Sequence, residues 1–83
     1  MSSNIPSSIF YGSVLSEFLR IARCTLLFKD FIPKAVELFK RMMKQGGDKH
    51  IVIKQIKKAH HRHPEAFLKF NKTPNEIISG ITA

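Results

Sequence analysis

The chain has no tryptophan, a single cysteine, four glycines, four prolines and only six acidic residues among 83. Each scarcity excludes something. One thiol, Cys24, cannot close an internal disulfide, so a disulfide-stapled secreted scaffold is ruled out. Cys24 sits in an apolar run and is expected to be a small buried thiol in a chain made for a reducing compartment. No stretch approaches the roughly 18 consecutive apolar residues that a membrane span needs. The start, Met1-Ser2-Ser3-Asn4-Ile5-Pro6, has neither the basic nor the apolar part of a signal peptide. The chain is therefore read as soluble and intracellular, in nucleus or cytoplasm.

The acids are as informative by their spacing as by their number. Glu17, Asp30, Glu37, Asp48, Glu65 and Glu76 are scattered, and two of them stand where helix caps are expected. No paired-carboxylate site is visible. No G-x-S-x-G, Walker-type or dinucleotide-binding glycine pattern occurs, so no catalytic residue and no cofactor are expected. His60, His61 and His63 have partial metal-ligand spacing, but Pro64 interrupts the helix that would align them, and only Glu65 is near. They read as a solvated basic helix end that adds charge on protonation, and no metal site is expected.

What is abundant is positive charge and helical periodicity. Fourteen Lys and Arg give a formal net charge of +8 and a pI near 10.1. A field of that sign attracts polyanions, which makes nucleic acid, an anionic membrane or an acidic protein the candidate partners. Apolar residues make up 43% of the chain, enough for one packed domain, though 83 residues bury only about 60% of their unfolded surface.

Residues 1–8 are read as a Ser-rich lead-in, with Ser7 and Ser8 able to cap the first helix. From about Ile9 to Thr25, Val14, Leu15, Phe18, Leu19, Ile21 and Ala22 form an apolar face at helical spacing. A second helix is expected at Phe31 or just before, placing Pro33 in the first turn, where no intrahelical donor is lost. Its inner face is Phe31, Ala35, Leu38, Phe39, Met42 and Met43; Lys34, Glu37, Lys40, Arg41 and Lys44 lie outside, and Gly46-Gly47 ends it. A third helix, capped by Asp48 and running to about His61, turns Val52, Ile56 and Ala59 inward. Pro64 opens a short helix carrying Phe67, Leu68 and Phe70. Thr73-Pro74-Asn75-Glu76 has capping-box spacing ahead of Ile77, Ile78 and Ile81, predicting a short C-terminal helix or frayed tail over 72–83.

The expected fold is thus all-α: a helical domain over 9–71 with a compact three-helix core, a helix-turn-helix-like second and third helix, and a short helical tail. The phenylalanines at 18, 31, 39, 67 and 70 are read as core. Across the two-glycine turn, Arg41, Lys44, Lys54, Lys57, Lys58 and Arg62 are expected to present one positive face to a nucleic-acid backbone. Gln55 is the only amide of the third helix suited to base edges, so phosphate contacts and shape should dominate. Two rival readings stand beside this one. In the first, the Phe and Met rows form a partner groove for a protein-interaction or dimerisation module, which leaves a homodimer open. The second, membrane-surface binding through the second or third helix, is disfavoured, because their apolar faces are needed inside and tryptophan is absent.

The order Ser3-Asn4-Ile5-Pro6-Ser7, Tyr11-Gly12, Arg20-Ile21-Ala22-Arg23-Cys24, Asp30-Phe31, Leu38 and Gln45-Gly46 resembles the helical segment that follows the polymerase palm in Penelope-like and related retroelement reverse transcriptases. The resemblance covers about residues 3 to 70; its pieces are short and common, and their order carries it. It implies a thumb-like, helix-turn-helix-like region that holds an RNA–DNA hybrid or duplex beside a polymerase palm. It also implies that Arg20 and Arg23 contact template or primer. The Asp-Asp polymerase motif and any nuclease sequence are missing, so the expected unit is a non-catalytic fragment, a truncated reading frame or a derived gene.

Overall fold

A computed structural model describes the backbone from residue 6 to residue 83 and side chains from Val14 onward. It contains five helices in succession: α1 (Pro6–Cys24), α2 (Phe28–Lys44), α3 (Lys49–Arg62), α4 (Pro64–Phe70) and α5 (Pro74–Thr82). No strand occurs among the described residues, and the all-α class is as expected.

Helix α1 begins at Pro6, three residues before the expected start. Proline is suited to the first helical position, where its missing N–H costs nothing. Ser7 and Ser8 therefore stand inside the first turn instead of ahead of it, and the rest of the expected lead-in lies outside the described residues, as do the side chains of Phe10 and Tyr11. The helix ends where Thr25 turns back: its N–H and its hydroxyl both donate to the Ile21 carbonyl, at 2.9 and 2.7 Å.

Helix α2 also starts early, at Phe28, which moves Pro33 out of the first turn and into the helix. Proline there cannot donate to the carbonyl of Lys29 four residues back. Both Lys29 and Pro33 are exposed, so water can take that carbonyl. Asp30 becomes a first-turn acid favoured by the helix dipole, while the N-cap, Leu27, makes no side-chain bond. At the other end Gly46 adopts φ +102°, a left-handed conformation that explains the sharp stop. Asp48 holds the N-cap position of α3 with no side-chain capping bond; its carbonyl accepts the Val52 N–H at 2.9 Å.

The core is drawn from all five helices. Phe18, at its centre, meets Phe31, Phe39 and Phe67 at ring-centroid distances of 5.8, 6.2 and 5.4 Å. Phe31 in turn stacks on Phe70 at 4.2 Å. Phe18, Phe31, Phe39, Phe67 and Phe70 are all buried, as expected, together with Leu38, Met42, Val52 and Ile56. Met43 is only half-buried, and Leu68 points away from the core.

The C-terminal helix is present and docked on the core. Helix α5 packs on both α2 and α3 and buries Ile77 and Ile81. Its start is closed by the Glu76 carboxylate, which accepts the Thr73 N–H at 3.1 Å. Gly80 lies so close to α2 that an added Cβ would come within 2.4 Å of Val36 Cγ2. A β-branched valine in a helix has one favoured rotamer and cannot swing aside. Gly80→Ala is therefore expected to destabilise the fold by about 1–2 kcal/mol, the overpacking cost outweighing roughly 1 kcal/mol of helix propensity. In a Val36→Ala background the same change should be neutral or stabilising. Urea denaturation of the four-member cycle checks this; equal effects in both backgrounds would refute the contact.

Candidate nucleic-acid interface

Helix α3 carries no acidic residue along its whole length. Val52, Ile56 and Ala59 are fully buried, and they fix which side faces out. At 100° per residue the opposite face is His50, Lys54, Lys57, Lys58 and His61, all exposed. Arg62, at the end of the helix, and Lys49, at its start, flank this stripe and are also exposed.

Three of the six acids are paired away from α3, while Asp48 stands at its N-cap. Glu17 pairs with Arg20 one turn away on α1, with Arg20 Nε donating to Glu17 Oε1 at 3.2 Å. That hydrogen bond raises the guanidinium pKa above its ordinary value. Glu65 lies 3.5 Å from His63 Nδ1, and Glu76 lies 3.7 Å from Lys72 Nζ. Glu37 lines the groove between α1 and α2. None of Glu17, Glu37, Glu65 and Glu76 sits on α3, so its outer charge is not offset within its own helix.

The remaining candidates fall into separate places. Arg20 and Arg41 come together in the α1–α2 groove, about 270 Å³, with Lys34, Glu17 and Glu37. Arg41 and Lys44 line a larger groove of about 680 Å³ along the outside of α2, with Lys34 and Lys40. Arg23 lies instead in the crevice between α1 and α4, beside Glu65 and Lys69. Arg20 and Arg23, paired by the resemblance, thus line different grooves. Of the two, Arg20 has its charge already matched by Glu17.

Lys34 and Lys40 were legible as outer residues of α2 but not as neighbours of Arg41 and Lys44. Spacings of seven between Lys34 and Arg41, and four between Lys40 and Lys44, are the signal that aligns them. Lys69 has no such signal in the sequence. Its Nζ donates to the Ala22 carbonyl at 2.9 Å and stands 5.0 Å from the Phe70 ring centre. It ties α4 to the negative end of the α1 dipole.

Several expectations need correction. Cys24 is exposed at the end of α1, because the helix turns its neighbour Ala22 inward instead. Gln55 is half-buried and its Oε1 is buried with no partner, so that oxygen is not offered to base edges. Of the Phe and Met rows, Phe18, Phe31, Phe39 and Met42 are enclosed in the core, while Phe28 is exposed and Met43 half-buried. His60 packs edge-on against Phe67 at 5.0 Å while His63 faces Glu65, so these histidines do not converge. Among the described residues no three metal-ligating side chains come together, and no helix is long and apolar enough to cross a membrane.

No family model, curated protein or solved structure matches this chain.

Proposed function

We propose that this chain is a non-catalytic nucleic-acid-binding module that grips the phosphate backbone of a duplex through the outer face of α3. Lys54, Lys57 and Lys58 are the principal contacts, with Arg62 at the helix end and Arg41 and Lys44 ahead of the two-glycine turn. The observation that carries the proposal is the acid-free cationic stripe of α3, in a chain of net charge +8. Such a stripe suits phosphates, whose condensed counterions are released on binding, and does not need base recognition. The buried Oε1 of Gln55 favours the same reading.

The resemblance to the post-palm segment of retroelement reverse transcriptases supports a thumb-like role on an RNA–DNA hybrid. In that role a polymerase palm is the protein partner and chemistry belongs to the palm. Arg23 then contributes from α1, and Arg20 less, because Glu17 neutralises it. The expected setting is intracellular, in nucleus or cytoplasm.

Fluorescence anisotropy of a labelled hybrid, duplex DNA and single strand tests this. Binding should be strongest to the hybrid and fall steeply with salt. Lys54→Ala with Lys57→Ala and Lys58→Ala should weaken binding to every duplex by on the order of tenfold or more at low salt. It should also flatten the salt slope by about one per lysine engaged. All three residues are exposed, so the helical signal should persist. Undiminished affinity in the triple variant would eliminate this face as the contact surface.

A further inference from the structure

Among the described residues, four of the five exposed large apolar side chains, Leu26, Leu27, Phe28 and Leu68, are carried by the α1–α2 link with the first residue of α2 and by α4. The two elements meet through the edge-on contact of the Phe28 and Phe70 rings at 5.6 Å. Leu26 is 88% exposed and Leu68 79%, far more than a folded domain needs to leave outside. The three described grooves are lined by other residues.

The surrounding charge points to the occupant. The uncharged run Cys24-Thr25-Leu26-Leu27-Phe28 is bracketed by Arg23 and Lys29, both exposed. Lys69, next to Leu68, is exposed as well and reaches back to the end of α1. The acids nearest in sequence are Asp30, half-buried in the first turn of α2, and Glu65, at the start of α4. Protruding leucines edged with long cationic side chains match an anionic lipid surface. Headgroup phosphates meet the Lys and Arg ends while the apolar tips enter the acyl boundary below.

We infer that the Leu26–Phe28 segment seats the chain peripherally on anionic membranes. The inner faces of α2 and α3 take no part in this, since both are enclosed in the core. The inference stands apart from the nucleic-acid reading and shares only Arg23 with it.

Vesicles of phosphatidylcholine with and without phosphatidylserine test it. The chain has no tryptophan, so Leu26→Trp supplies a single reporter. Its emission should shift to the blue, and brominated lipid should quench it, only with phosphatidylserine present. Leu26→Ser with Leu27→Ser should weaken vesicle binding by roughly tenfold for each leucine withdrawn from the lipid. Folding should not suffer, because Leu27 is the uncapped N-cap of α2 and serine is a better cap. An unchanged or higher melting temperature therefore accompanies the expected loss. Equal vesicle binding by the serine variant would overturn the inference, leaving only charge attraction. So would a reporter that stays water-exposed on vesicles, or one that shifts only with protein concentration, which would make a second copy the occupant.

Discussion

Phe18→Ala is expected to lose about 3–5 kcal/mol, the largest effect of any single truncation in the chain. The side chain is fully buried and touches aromatic rings from α2 and α4 at once. No single neighbour can move to fill the space, because Phe31 is itself stacked on Phe70. A domain of 83 residues has about 4–12 kcal/mol in total at typical values per residue. The variant should therefore be marginal at room temperature and unfolded at moderate urea. Phe18→Leu, which keeps most of the volume, should cost roughly half as much or less. Circular dichroism against urea measures both; a loss below about 1 kcal/mol for the alanine variant would mean that the aromatic centre is loosely packed.

Ile77→Asp is the second large effect, and it separates a docked C-terminal helix from a frayed one. Ile77 is fully buried between α5 and the α2–α3 pair. An aspartate there must either stay charged without a partner or drive α5 off the core. The expected loss is about 3 kcal/mol or more, with part of the helical signal gone before the main transition. Ser79→Asp, on the exposed side of the same helix, should change stability by no more than about 0.5 kcal/mol. A tail that frays would tolerate both substitutions alike.

The contrast between α3 and α5 explains what could be read in advance. The three inward residues of α3 stand at helical spacing within a strongly polar segment, so Val52, Ile56 and Ala59 were identifiable from sequence alone. Helix α5 has only Ile77, Ile78 and Ile81, and a short helix of this kind is not stable unless something covers it. What covers it is α2, approached closely enough that Gly80 has no room for a side chain. That contact joins residues 44 apart in sequence, and no local pattern encodes it. The start of α2 departs from expectation for a related reason. Pro33 normally marks a first turn, yet the chain runs helically through it because Phe28 packs on Phe70 and holds the earlier turn in place.

The candidate site divides in the same way. The basic face of α3 was legible as a set of residues, since helical periodicity alone turns Lys54, Lys57 and Lys58 away from Val52 and Ile56. The pairing of Arg20 with Glu17 was within reach as well, at a spacing of three. The placement of Arg23 apart from Arg20, and the exposure of Leu26, Leu27 and Phe28, were not. Both depend on where α4 lies against the end of α1, which is held by Lys69 across 47 residues of chain.

From sequence alone came the all-α class, the turns at Gly46 and Pro64, the aromatic core and the sign of the outer charge. These arise from interactions between residues within a few positions of one another: side-chain periodicity, proline geometry and the left-handed freedom of glycine. Only the tertiary structure decided that α5 belongs to the core, that the cations separate into the α3 face, the grooves beside α2 and the α1–α4 crevice, and that an apolar link stands outside. Those features depend on contacts between distant segments. Their energies come from packing and close approach, for which an isolated stretch of sequence has no partner.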